Sequence, residues 1–256
     1  MRIAAPLKAL LSNLIDYAGL YPPAGLPLEI VVERYRCFLA SPDGWILNRL
    51  VLPLAKLPGL SPAILPLAHI TLLVDDEPGP LPPQVETLET KGARRLSLPT
   101  YCEAKIGEIV DAFAKLRTGG LTPEAIPPAD DLADFLAAAA ARRLPFKATA
   151  GLHHPVRSVR ALTYAPDSPR ATMHGFLNLF VAAAFAWHGA ERAVLLEALN
   201  ETEADAFAFG PKDLEWRGRR LSAEQIADAR HNFAHSFGSC SFEEPIGDLR
   251  ALELLP

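Results

Sequence analysis

Two lysines stand out by their setting. Lys115 lies in Ala114-Lys115-Leu116-Arg117-Thr118-Gly119-Gly120, and Lys147 in Phe146-Lys147-Ala148-Thr149-Ala150-Gly151-Leu152. Each segment reads as a strand carrying a lysine, then a threonine, then glycine where the strand stops. The lysines are 32 residues apart, the length of one strand-helix-strand unit. Alternate residues of a strand share a face, so Lys115 points with Arg117, and Lys147 with Thr149. On neighbouring strands, two lysines and an arginine would meet at one end of a sheet. Gathering cations away from water is costly. Repulsion and desolvation both lower a lysine pKa, and a neutral lysine is the nucleophile that forms a Schiff base with a carbonyl. Thr118, Gly119, Gly120, Thr149 and Gly151 join the expected substrate-binding set. The glycines allow close backbone approach at strand ends and expose N–H groups to an anion.

A second constellation is histidine. His153 and His154 follow the second lysine strand, and His174 opens the next helical run. One of the adjacent pair is expected to move protons with Asp16, which ends the first strand candidate; the alternative role for Asp16, and for Glu89, is to neutralise the lysine cluster. His174 and Asn178, one turn further on, are expected at the substrate. With Asp16 or Glu89, the three histidines also make an alternative divalent-metal site such as zinc. There is no HExxH or HxH, so the primary expectation is no metal and no other cofactor. His231 and His235, four apart, read as a solvated helix face. Cys240 reads as a structural thiol, because no base or cation can be assigned to it from sequence.

The pattern K-x-x-T-G-G, then about thirty residues, then K-A-T-A-G resembles the two lysine strands of deoxyribose-phosphate aldolase and related class I aldolases. The resemblance covers residues 112–152. It implies a (β/α)8 barrel in which Lys115 forms the Schiff base and Lys147 tunes its pKa. The chain departs from the family at Arg117, where a small polar residue is usual. It also departs at Gly151-Leu152-His153-His154-Pro155, where a glycine-rich phosphate-binding continuation is usual, and no phosphate loop is evident near 205–215. The expected substrate is therefore a small anionic carbonyl compound, with Arg117 on its anionic group. Two alternatives are a metal-dependent hydrolase or isomerase using His153 or His154 with His174, and a non-catalytic binder of small anions.

Such side chains need a sheet to converge on. Strand-like runs are expected near 15–19, 46–53, 69–74, 85–90, 94–99, 112–117, 145–150 and 205–209. Helices are expected at 7–15, 28–39, 103–113, 128–143, 172–187, 189–200 and 222–237, the last N-capped by Ser222. The stretch after it reads as irregular. Alternation of this kind implies a parallel sheet, and eight strands in 256 residues is the size of a (β/α)8 barrel. The gaps after the third and fourth strands leave room only for truncated helices, and an open doubly wound sheet is the alternative. No composition break divides residues 1–256, so one domain is expected.

Composition narrows the partners. Half the residues are hydrophobic, which excludes a disordered chain. The net charge of −5 with no basic tract argues against nucleic acid. Three scattered cysteines suit a reducing compartment. No signal peptide is evident, and the most apolar helical run is too short to span a bilayer. A cytoplasmic protein without membrane contact is expected. The apolar pair of helices at 172–200 is either core or the interface of a homo-oligomer.

Overall fold

The computed structural model describes residues 3–60, 68–109 and 111–256. Eight parallel strands close into a barrel. They are β1 (Ile15–Tyr17), β2 (Leu47–Pro53), β3 (Ile70–Leu73), β4 (Val85–Lys91), β5 (Thr100–Glu103), β6 (Phe113–Arg117), β7 (Phe146–Thr149) and a last strand at Ala234–Ser239. The fold is the expected (β/α)8-like barrel.

The helices are unevenly spread. α1 (Ala5–Leu11) precedes β1, α2 (Leu28–Leu39) follows it, and α3 (Ala129–Ala141) joins β6 to β7. After β7 come a two-stranded hairpin, β8 (Ser158–Ala161) and β9 (Arg170–Met173), and then α4 (Phe176–Trp187) and α5 (Arg192–Asn200). A three-stranded antiparallel sheet follows: β10 (Phe207–Phe209), β11 (Asp213–Trp216) and β12 (Arg219–Ser222). α6 (Ala223–Asn232) leads into the closing barrel strand β13 (Ala234–Ser239), and α7 (Glu243–Ala251) completes the chain. Between β3 and β6 the described residues form no α-helix, only a single 3-10 turn at Ile106–Glu108. The gaps after β3 and β4 are thus short, as expected. The helix expected at 103–113 is not formed.

Three strand assignments need correction. The fifth barrel strand is Thr100–Glu103, not 94–99. Residues 205–209 do not join the barrel, since β10 pairs only with β11. The eighth barrel strand is instead β13, inside the segment whose periodicity suggested one long helix to 237. Ser222 does cap α6, in a reciprocal capping box with Gln225. The helix stops at Asn232, and Phe233 leaves helical geometry at φ −139°. Residues Ala234–Ser239 then pair with β1 and β7, with a shift of register against β7 between Ala234 and Phe237. The stretch after β13 is not irregular, because it carries α7.

All twelve residues of α4 are buried within the chain. They pack under β13 as part of the core, with Phe176 stacked on Phe237. No helix among the described residues is long and apolar enough to cross a membrane.

The barrel interior is unusually polar. Such barrels are filled mainly by branched aliphatic side chains. Here Thr71 and Thr87 hydrogen-bond each other at 2.8 Å, and the Tyr101 hydroxyl meets His235 Nδ1 at 2.7 Å. His235 therefore lies at the floor of the barrel, not on a solvated helix face. Burial and the nearby Arg230 guanidinium push its imidazole down to about 4, so it is neutral at pH 7.

Candidate active site at the barrel mouth

The carboxyl ends of the strands surround a cavity of about 740 Å³. All eight barrel strands or the turns leaving them contribute to its wall, among them Val51, Glu89, Glu103, Lys115, Thr149 and Gly238. This is the end at which barrel enzymes carry their chemistry. Val74, Leu121, Leu162 and Met173 supply an apolar part of the wall.

The two lysine strands are neighbours, in the register expected of a shared face. Lys115 pairs with Lys147, and Arg117 with Thr149. The lysines differ in depth: Lys115 lines the cavity, whereas Lys147 is 1% exposed beneath it. Lys147 Nζ contacts Asp16 on β1 and lies 2.6 Å from Glu89 Oε1 on β4. It also sits 5.6 Å above the Tyr101 ring. Glu89 is shared, because its Oε2 lies 2.8 Å from Lys115 Nζ. Glu103 adds a contact of 3.5 Å to Lys115 and takes Arg117 Nε at 2.9 Å.

This arrangement corrects two expectations. The cluster is not cationic: Lys115, Lys147 and Arg117 are balanced by Asp16, Glu89 and Glu103. Nor is Lys147 a depressed lysine. Burial works against its charge, but Asp16 and Glu89 outweigh burial and hold its pKa well above the ordinary value. Burial likewise opposes ionisation of Glu89, yet the two ammonium groups hold that carboxyl down at about 2. Asp16 is fully engaged, accepting from Asn48 Nδ2 at 2.7 Å, the Arg49 amide and the Ser236 hydroxyl besides Lys147.

The other expected residues divide. Thr149, Gly120, Gly151, Arg117 and His153 line the cavity. Thr118 is buried and bonds the Thr149 and Ala150 carbonyls, tying β6 to β7. Gly119 packs on Gly151, where a Cβ would lie 2.9 Å from the opposite Cα, and Gly151 adopts φ +78°. His153 Nδ1 meets Glu244 Oε2 at 2.9 Å, and His154 Nδ1 meets Asp248 Oδ2 at 2.6 Å. Burial disfavours the His153 imidazolium, but its bonds to Cys240 and Glu244 prevail and raise it to about 9.

His174 and Asn178 do not reach the cavity. His174 bonds the Pro127 carbonyl at 2.8 Å and Arg157 at 3.0 Å, and burial lowers its pKa. Asn178 accepts from the Arg157 amide and donates to the Ala198 and Glu201 carbonyls. Its polarity on an apolar helix is thus explained by loop anchoring. The Asn178→Ala variant is expected to lose about 2–4 kcal/mol, because three backbone groups lose their partner in a buried place. Urea unfolding measures this, and the barrel-mouth chemistry should be unchanged at permissive temperature. Among the described residues no group of three or more His, Cys, Asp or Glu is placed to hold a metal ion.

Tyr21 was not foreseen from the sequence. It lies on the turn after β1, lines the cavity, and its hydroxyl is buried without a hydrogen-bond partner among the described residues. Burial raises its pKa above the ordinary phenol range, and the nearby Glu89 raises it further, so it is a neutral donor. A buried hydroxyl of this kind normally has a partner, and the cavity is where one would bind.

No family model, curated protein or solved structure matches the chain. The functional reading rests on the site itself.

Proposed function

We propose that the protein is an enzyme that forms an imine between Lys115 and a small carbonyl compound and makes or breaks a carbon–carbon bond next to it, as class I aldolases do. One observation carries this reading. Of two lysines bridged by one carboxylate, only Lys115 faces a cavity, while the other is locked as a buried cation between two carboxylates.

The chemistry follows from that asymmetry. Each lysine has a second carboxylate, but Asp16 contacts Lys147 closely whereas Glu103 lies 3.5 Å from Lys115, so Lys147 is the more tightly held. Lys115 is the amine that a carbonyl compound entering the cavity meets. Its nitrogen bonds the carbonyl carbon, and two of the ammonium protons depart with the carbonyl oxygen as water, which leaves an iminium. The iminium then withdraws electrons from the neighbouring bond. Tyr21 donates its unused hydroxyl to the substrate oxygen. Arg117 and, at the rim, Lys91 on β4 meet an anionic substituent, while the apolar wall takes a short carbon chain.

Borohydride reduction in the presence of aldehydes and keto acids, followed by peptide mass analysis, tests the proposal. A reduced adduct is expected on Lys115. No adduct there across a broad carbonyl panel sinks it. A second variant isolates Tyr21. Tyr21→Phe is expected to lower kcat by at least about tenfold and to leave the urea midpoint unchanged, since its hydroxyl makes no hydrogen bond among the described residues. An unaltered kcat removes Tyr21 from the mechanism.

A further inference from the structure

β7 and β13 are adjacent in the barrel, with Thr149 paired to Gly238. The turns that leave them therefore meet above the same wall of the cavity. They bring together His153, after β7, and Cys240, after β13, and both line the cavity. Cys240 Sγ lies 3.9 Å from His153 Nε2. The other ring nitrogen, Nδ1, is held at 2.9 Å by Glu244, in the first turn of α7. The Tyr164 hydroxyl donates to that same carboxylate oxygen at 2.8 Å and lies 3.8 Å from Sγ. Thiol, imidazole and carboxylate thus stand in the order nucleophile, base and orienting group.

We propose that Cys240, His153 and Glu244 form a nucleophilic thiol centre that accepts an acyl group from a small ester, thioester or acyl phosphate with an anionic leaving portion. This centre does not depend on the lysine chemistry. Glu244 fixes His153 so that Nε2 faces the sulfur. A second cavity of about 270 Å³ shares His153, Leu162 and Met173 with the larger one, and Arg160 and Arg170 are in its wall. Those guanidinium groups fit an anionic leaving portion beside the sulfur. Tyr17 from β1 and Tyr164 are further titratable groups beside Cys240. Burial holds both phenols above their ordinary range, so they add no charge.

The step balances without an oxidant or reductant. The one proton that Cys240 and His153 share resides on Nε2 as Sγ forms its bond to the acyl carbon. The bond from that carbon to the leaving oxygen or sulfur breaks, and the leaving group receives the proton from Nε2. Water, deprotonated by the same nitrogen, then attacks the thioester. The carboxylic acid departs and the proton returns to Cys240.

Cys37, which is exposed, provides an internal control. Iodoacetamide at neutral pH is expected to label Cys240 at least about tenfold faster than Cys37, as an imidazole-paired thiol reacts. Acetyl phosphate and 4-nitrophenyl acetate are expected to acetylate Cys240, read by peptide mass spectrometry. His153→Ala erases both effects and leaves the Cys37 rate unchanged. Should that variant fail to fold, Glu244→Gln, which preserves side-chain volume, is expected to slow acetylation by roughly tenfold or more. A Cys240 that labels no faster than Cys37, or an acetylation rate indifferent to His153 and Glu244, overturns the centre. Acetylation by 4-nitrophenyl acetate but not by acetyl phosphate overturns the assignment of the arginine-lined cavity to the leaving group.

Discussion

The Lys115→Met variant is expected to lose turnover by at least about 10³-fold, the scale seen when a covalent nucleophile is removed, while its fold remains intact. The fold survives because every carboxylate that Lys115 touches keeps another cation. Removing Lys115 leaves Glu89 with Lys147 at 2.6 Å and Glu103 with Arg117 at 2.9 Å. No carboxylate is stranded, and Met fills most of the vacated volume. The urea midpoint should therefore move little, and substrate binding should survive better than kcat. The borohydride-trapped adduct should vanish from the peptide carrying residue 115 and should not reappear at Lys147, which is 1% exposed and committed to two carboxylates. Loss of activity accompanied by unfolding would make Lys115 structural. Full activity in the variant would falsify the imine reading outright.

The barrel and its reactive end were legible because local signals agreed with the global fold. The two lysine segments combined period-two patterning, strand-ending glycines and a helix-length separation. Lys115 and Lys147 then proved to be register partners on adjacent strands. The closing strand was hidden for a physical reason. Its residues Ala234-His235-Ser236-Phe237 continue the apolar spacing of α6, so a helical reading absorbed them. Phe233 breaks that continuity in the structure through a backbone conformation that no residue type announces. The segment 205–209 misled in the opposite way. Its alternation is that of a real strand, but one that pairs antiparallel outside the barrel.

The site was legible as residues rather than as charges. Asp16, Lys115, Lys147, Arg117 and His153 were named from their strand-end positions. Neutralisation by Asp16 or Glu89 was one of the readings open from sequence, but the part of Glu103 was not, because it lies on β5, outside the lysine strands' own segments. Thr87 and Glu89 in the run Val85–Lys91 carried the available clue, a polar period-two face too regular for an exposed edge. Tyr21 and the meeting of Cys240 with His153 had no such local signal. Each arises from a turn leaving one strand and reaching over its neighbour. The adjacency of β7 and β13 becomes known only once the last strand is correctly placed.

The largest stability effect is expected at Lys147. Lys147→Met removes the only ammonium contacting Asp16 among the described ion pairs, and one of two on Glu89. Both carboxylates are at most 4% exposed. Stripping one partner from a buried ion cluster leaves uncompensated charge and costs about 3–5 kcal/mol. The loss should depend on pH in a defined direction. In the wild type, Glu89 falls from an ordinary 4.5 to about 2 on folding. Its stabilising contribution is therefore complete above about pH 4.5 and disappears as pH falls toward 2. Without Lys147, burial dominates and the Glu89 carboxyl rises. The variant then loses part of its stability deficit on mild acidification, because a buried carboxyl that takes up a proton ceases to be an unpaired charge. Urea unfolding at neutral pH and at about the ordinary carboxyl pKa should show the gap between wild type and variant narrowing as pH falls. A gap below about 1 kcal/mol at neutral pH, within the range of exposed pairs, would show that water reaches the cluster and that Lys147 is not the locked cation on which the reactivity of Lys115 depends.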